Sequence, residues 1–197
     1  MSFRLGLTGS IGMGKSTTAK LFAEEGCDIW DADVAVHRLY AKGGAAVGPI
    51  GAAFPQAIAE GAVSRSHLKS VIAADTTALK KIEELVHPLV ARDREEFLRT
   101  SDADIAVLDI PLLFETGGDA RMDAVACVSA PPDIQRQRVL DRGTMSAAQF
   151  KAILEKQLPD AEKRARSDYV IVTDTLEHAR EQVQAIVRDI RGRLADA

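Results

Sequence analysis

Gly9-Ser10-Ile11-Gly12-Met13-Gly14-Lys15-Ser16 decides how the rest of the chain is read. Its spacing, G-x-x-x-x-G-K-[ST], is that of a phosphate-binding loop. A backbone that wraps an anion needs glycine wherever a Cβ would block the approach or φ turns positive. Amides then converge on a phosphate where the next helix begins, and its unpaired N–H groups and dipole favour negative charge. In such a loop Lys15 reaches the β- and γ-phosphates and the Ser16 hydroxyl ligates Mg²⁺. The flanks agree with this reading. Residues 3–8 read as a short strand, and 17–24 as a helix with Ala19, Leu21, Phe22 and Ala23 at helical spacing.

A chain of 197 residues is expected to form one compact unit, or one domain carrying a helical insertion. It buries about 70% of its extended surface, so a core forms without disulfides or metal. Cys27 and Cys127 lie in strand-like apolar surroundings with no zinc spacing, which fits free thiols in a reducing compartment. The net charge of −4 argues against general nucleic-acid or membrane-surface binding. No run approaches 18 apolar residues, so no membrane span is expected. The opening residues lead straight into a strand, so no secretory leader is expected and a cytoplasmic location is.

Further along, 27–30 reads as a second strand, followed by Asp31-Ala32-Asp33 opening a helix to Tyr40. Residues 42–51, with four glycines and Pro49, read as a loop. Helices are expected over 52–60, 65–74 and 77–100, the last kinked at Pro88, with no strand among them. The frame resumes with strands over 105–110 and 124–128. Helices are expected over 133–141, from Ser146 to Leu158, and over 159–165, then a fifth strand over 169–172. An amphipathic helix closes the chain from Leu176 to about Arg193, with Ala179, Val183, Ile186, Val187 and Ile190 inward. The alternation predicts an α/β fold: a five-stranded parallel sheet in a three-layer arrangement, with a helical subdomain inserted. Ligands in such a fold sit beyond the strands' carboxyl ends, where the loop, Asp31, Asp33 and the turn from Asp109 to Glu115 all fall.

The chain contains no asparagine, so an N-K-x-D guanine-reading motif cannot exist. Small-molecule phosphoryl transfer remains, a reaction in which the enzyme chiefly positions groups and neutralises charge. Asp33, in a first helical turn, is the candidate to accept a hydroxyl proton, while Asp31 is either a second such carboxylate or an N-cap. Arg136, Arg138 and Arg142, then Lys163, Arg164 and Arg166, form two basic clusters around Gly143 and read as a lid over 136–166. Arg138 and Arg142, four apart on one helix face, are its leading residues. The same cations also fit a solvated helix face.

Thr8-Gly9-x-Ile11-Gly12-x-Gly14-Lys15-Ser16-Thr17, Asp31-Ala32-Asp33, His87-Pro88, Asp109-Ile110-Pro111-Leu112-Leu113-Phe114-Glu115 and Gln157 together resemble the dephospho-CoA kinase family. The likeness spans nearly the whole chain and implies a P-loop kinase fold. It also implies transfer of the ATP γ-phosphate, with Mg²⁺, to the ribose 3′-hydroxyl of dephospho-CoA. It assigns Asp33, Lys15 and Arg142 to catalysis, and Gly12, Met13, Gly14, Lys15, Ser16, Thr17 and Arg138 to ATP, with Ser16 on the metal. Arg65, His87 and Glu115 would meet the acceptor, and residues 52–100 would form its binding part. Ser10 and Met13 depart from the residues more usual at those positions. Thr173-Asp174-Thr175 stands where an asparagine is frequent. Asp109 resembles a Walker B aspartate by position. A nucleoside monophosphate kinase and an ATP-gated binding module are the competing readings.

Overall fold

The computed structural model describes residues 2–196. Two compact units emerge, one made of the chain up to Trp30 and from Ser101 onward, the other of Asp31–Thr100.

The first unit is built on a sheet in the order β2-β5-β1-β6-β7. Its strands are β1 (Phe3–Thr8), β2 (Asp28–Asp31), β5 (Ile105–Asp109), β6 (Ala124–Ser129) and β7 (Tyr169–Val172). β1 pairs in parallel with β5 and β6, and β6 with β7. The predicted five-stranded sheet is therefore present. β5 and β6 are buried along their whole length, as strands covered on both faces must be. One face carries Leu5, Leu7, Ile105, Val107, Ala126, Val128 and Ile171. These pack against α1 (Lys15–Glu24) and α9 (Leu176–Ala195). The five inward residues expected of α9 are all buried, whereas Ala23 of α1 is exposed. On the other face Leu113 and Phe114 pack with Val125, and a Cβ at Gly6 would meet Leu113 at 2.8 Å. Helices α6 (Pro132–Asp141), α7 (Ala147–Leu154) and α8 (Asp160–Ala165) join β6 to β7.

α7 ends four residues before the expected Leu158. Leu158 precedes Pro159, which disfavours helix, and its N–H is taken instead by Glu115 Oε1 at 2.9 Å.

The second unit holds α2 (Ala32–Tyr40), α3 (Val47–Ala53), α4 (Arg65–Ala74) and α5 (Ala78–Thr100) around Leu39, Ile50, Phe54, Leu68, Ile82 and Val86. It begins before the expected residue 52, taking in α2. α4 and α5 lie where the periodicity puts them, and α5 runs through Pro88. Leu79, placed on the apolar stripe by its spacing, is 47% exposed.

Two expectations fail between 42 and 60. Residues 47–51 are helical rather than loop. Pro49 falls in the first turn of α3, where its missing N–H costs no helical bond, and fully buried Ile50 anchors the turn. Of residues 52–60 only 52 and 53 are α-helical, as the end of α3. After a 3₁₀ turn over Pro55–Ala57 the chain enters a hairpin of β3 (Ile58–Ala59) and β4 (Ala62–Val63). Its two-residue turn has Glu60 at φ 52° and Gly61 at φ 80°, the left-handed pair such a loop requires, but glutamate seldom announces it.

Candidate active site

Parallel pairing brings the carboxyl ends of β1, β5, β6 and β7 to one edge, at Thr8, Asp109, Ser129 and Val172. The loop of residues 9–14 leaves that edge and enters α1. Gly12 (φ 79°) and Gly14 (φ 89°) hold the left-handed conformation that other residues resist. A Cβ at Gly12 would meet Val139 Cγ2 at 2.5 Å, so α6 presses directly on the loop. Ser10 shows no positive φ, so its departure from glycine is harmless to the backbone. Met13 is 3% exposed and belongs to the main core. Its Sδ accepts the Ala130 N–H at 3.0 Å, which roots the loop beneath β6.

Side chains to which the sequence reading gave no part in holding the loop fasten it from outside. Gln135 donates Nε2 to the Ile11 carbonyl at 2.7 Å, and Gln157 Oε1 accepts the Ile11 N–H at 3.2 Å. Thr173 donates its hydroxyl to the Met13 carbonyl at 2.7 Å and accepts from Arg138 Nη1 at 2.9 Å. Gln157 is legible in the sequence only as part of the family motif. Gln135 carries no local signal, because glutamine on a helix is ordinarily a solvated residue.

Lys15 forms an ion pair with Asp109, which is 1% exposed at the end of β5. The position of Asp109 is thus that of a counter-charge beside the loop lysine. Ser16 and Thr17 are exposed on the first turn of α1, while buried Thr18 bonds back to the Gly14 carbonyl at 3.1 Å.

A cavity of about 390 Å³ adjoins the loop, lined by Gly14, Thr17, Arg138, Arg142, Thr173 and Thr175 among others. It lies between the start of α1, the end of α6 and the start of α9, beside the Thr173 and Thr175 that stand where an asparagine is frequent. Arg142 is exposed at the C-cap of α6, and Gly143 follows at φ 64°.

The second basic cluster is bound to protein partners rather than extended for a ligand. Lys163 is fully buried and pairs with Glu115 at 2.9 Å. Arg164 pairs with Asp160 at 2.9 Å, and Arg166 with Asp119 at 3.0 Å while covering the Phe114 ring. A single basic lid over 136–166 therefore loses its second half. Glu115, expected at the acceptor, faces this cluster too. Burial opposes its ionisation, but bonds from Lys163 and the Leu158 N–H outweigh that and hold its carboxyl below the usual glutamate range.

Within the Asp31–Thr100 unit, Asp31 caps α2 by accepting the Val34 N–H at 3.0 Å. Asp33 makes the first turn acidic and is exposed. Arg65 and His87 are exposed on α4 and α5. Burial pushes the Tyr40 hydroxyl upward, an effect reduced by the nearby Arg65 charge. Among the described residues no helix is long and apolar enough to cross a membrane.

The sequence model of the dephospho-CoA kinase family matches residues 3–178. A dephospho-CoA kinase of Ruegeria pomeroyi is 68% identical over 97% of both chains. A solved Thermus thermophilus protein superposes with a TM-score of 0.84 at 31% identity, covering 95% of this chain and 97% of its own. A dephospho-CoA kinase from Campylobacter jejuni shares the fold, with a TM-score of 0.70 at 23% identity over 98% of this chain and all of its own. The P-loop kinase frame expected from the motif is the frame observed, and by sequence match and fold together the chain belongs to the dephospho-CoA kinase family.

Proposed function

We propose that the protein transfers the γ-phosphate of ATP to the ribose 3′-hydroxyl of dephospho-CoA, the last step of coenzyme A formation. In a chain of this family, one observation carries the reading. The left-handed glycines of the loop run from the Arg138/Arg142 cavity to Lys15, the arrangement a nucleoside triphosphate requires.

In this reading the cavity takes the nucleoside, the loop amides and Lys15 hold the β- and γ-phosphates, and Arg142 closes on the transferring group. Arg138, tied to Thr173, orients one wall. Asp33 accepts the proton of the acceptor hydroxyl, which a carboxylate does best when it is ionised at working pH. Arg65 and His87 serve the acceptor from the Asp31–Thr100 unit. ATP-dependent transfer of this kind generally uses a divalent cation, and the donors beside the loop are hard oxygens suited to Mg²⁺. The exposed Ser16 hydroxyl would hold it, with Asp109 holding a water of its shell. Bound there, the ion would neutralise charge on the phosphate oxygens. The partners are small molecules, and the location is the cytoplasm.

The test is ADP release by purified protein with ATP and Mg²⁺, offered dephospho-CoA, AMP, CMP or shikimate, with the product identified by mass. Turnover confined to dephospho-CoA supports the proposal. Absence of turnover with that acceptor, or preference for AMP, would overturn it.

A further inference from the structure

Lys163 is the one buried lysine among the described residues, at 0% exposure, and no step of the proposed reaction uses it. An ammonium taken wholly out of water is retained only when paired and hydrogen-bonded. Its partners are Glu115 at 2.9 Å and the Pro111 carbonyl at 3.2 Å, both on the turn that follows β5. Each of these partners has a second bond, and each second bond leads to the phosphate loop. The Pro111 carbonyl also accepts the Thr8 hydroxyl at 3.1 Å, one residue before Gly9. Glu115 Oε1 also accepts the Leu158 N–H at 2.9 Å, and the preceding residue, Gln157, accepts the Ile11 N–H.

We propose that Glu115 and Lys163 are positioning residues for the nucleotide, a buried brace that sets the phosphate loop through Gln157 and Pro111, and that Glu115 does not contact the acceptor. The inference rests on the loop's binding a nucleotide. Its physical basis is ordering. A loop whose Ile11 N–H and C=O are both held by side chains does not have to be immobilised when a phosphate arrives, so less of the interaction is lost to entropy. Gln157 lies past the end of α7, where its N–H still bonds the Leu154 carbonyl at 3.2 Å but the regular helix does not continue. The carboxylate of Glu115 supplies the anchor one residue away.

The experiment measures Mg·ADP affinity by calorimetry, and KM for ATP and for dephospho-CoA, in wild type, Glu115→Gln, Gln157→Ala, their double variant, and Glu115→Leu/Lys163→Met. Glu115→Gln and Gln157→Ala each should weaken nucleotide about tenfold with the acceptor KM within about twofold. The double variant should be no weaker than the worse single, because both changes act through one path. The paired apolar replacement removes both charges and should keep the fold, so its melting temperature stays near that of wild type while nucleotide affinity still falls. A raised acceptor KM with unchanged nucleotide affinity in Glu115→Gln would overturn the proposal. So would additive losses in the double variant, or wild-type affinity in the apolar pair. Wild-type protein that binds Mg·ADP yet leaves dephospho-CoA untouched would sink the acceptor assignment alone, because the brace is read on nucleotide binding.

Discussion

Arg138, in α6, donates from both terminal nitrogens to Thr173, one to its hydroxyl and one to its carbonyl. The same hydroxyl donates to the Met13 carbonyl in the phosphate loop, so one threonine couples the cavity wall to the cradle. Thr173→Val keeps the shape and removes the hydroxyl, leaving a buried Met13 carbonyl short of its partner, a loss of about 1–3 kcal/mol. KM for ATP should rise roughly tenfold with the acceptor KM little changed. Arg138→Ala should do the same, and the two together should not add. Steady-state kinetics with each substrate varied checks this, and additive losses would count against the coupling.

Lys15 and Asp109 should behave as a unit in stability and separately in activity. Either single replacement, Lys15→Met or Asp109→Leu, breaks the ion pair at a site where Asp109 is almost wholly enclosed. A destabilisation of about 3 kcal/mol is expected for each. The double variant should recover most of that stability and still lack turnover. Denaturant melts and a turnover assay on all three variants decide it, and a double variant as unstable as the singles would show that the pair is not coupled.

Asp31 and Asp33 should separate cleanly, because Asp31 already has a structural task. Asp31→Ala removes the cap on α2 and should cost about 1 kcal/mol of stability. Asp33→Asn should lower kcat by roughly 10²–10⁴-fold with ATP affinity nearly unchanged. Normal turnover in Asp33→Asn would remove it as the base.

The Glu115 carboxyl is held below 4.5, its ordinary value, so the fold favours its ionised form. Its contribution is present above 4.5 and is lost as pH falls toward the depressed folded value. Wild type and Glu115→Gln should differ in melting temperature at pH 7, and the difference should shrink as pH falls from 4.5 toward the depressed folded value. A difference that does not shrink as the solution is acidified would contradict the ionic role.

Both thiols should be silent in the native protein. Burial pushes Cys27 up to about 11 and Cys127 up to about 12, so neither holds appreciable thiolate at pH 8. Ellman's reagent at pH 8 should titrate no thiol until denaturant is added, and then two. Rapid native reaction would show that β6, which carries Cys127, or the segment leading Cys27 into β2 opens.

Wherever a pattern is carried by neighbours along the chain, the residues alone were enough. The glycine spacing named the phosphate loop, the apolar runs at 105–110 and 124–128 named buried strands, and the 3.6-residue stripe of α9 named its five inward side chains. Local pattern misled where an energetic partner lies far off in sequence. Buried Ile50 and the first-turn place of Pro49 turned a glycine-rich stretch into α3, and a left-handed Glu60 made a hairpin where helix was expected. The site divided along the same line. Lys15, Gly12 and Gly14 announce themselves, but Gln135 and Thr173 take their roles only once α6 and β7 have been brought against the loop. A run of basic residues at 163–166 reads alike whether it faces water or a carboxylate. Only the packing of α8 beneath the turn after β5 removed Lys163 from water, and a charge without solvent must have a partner.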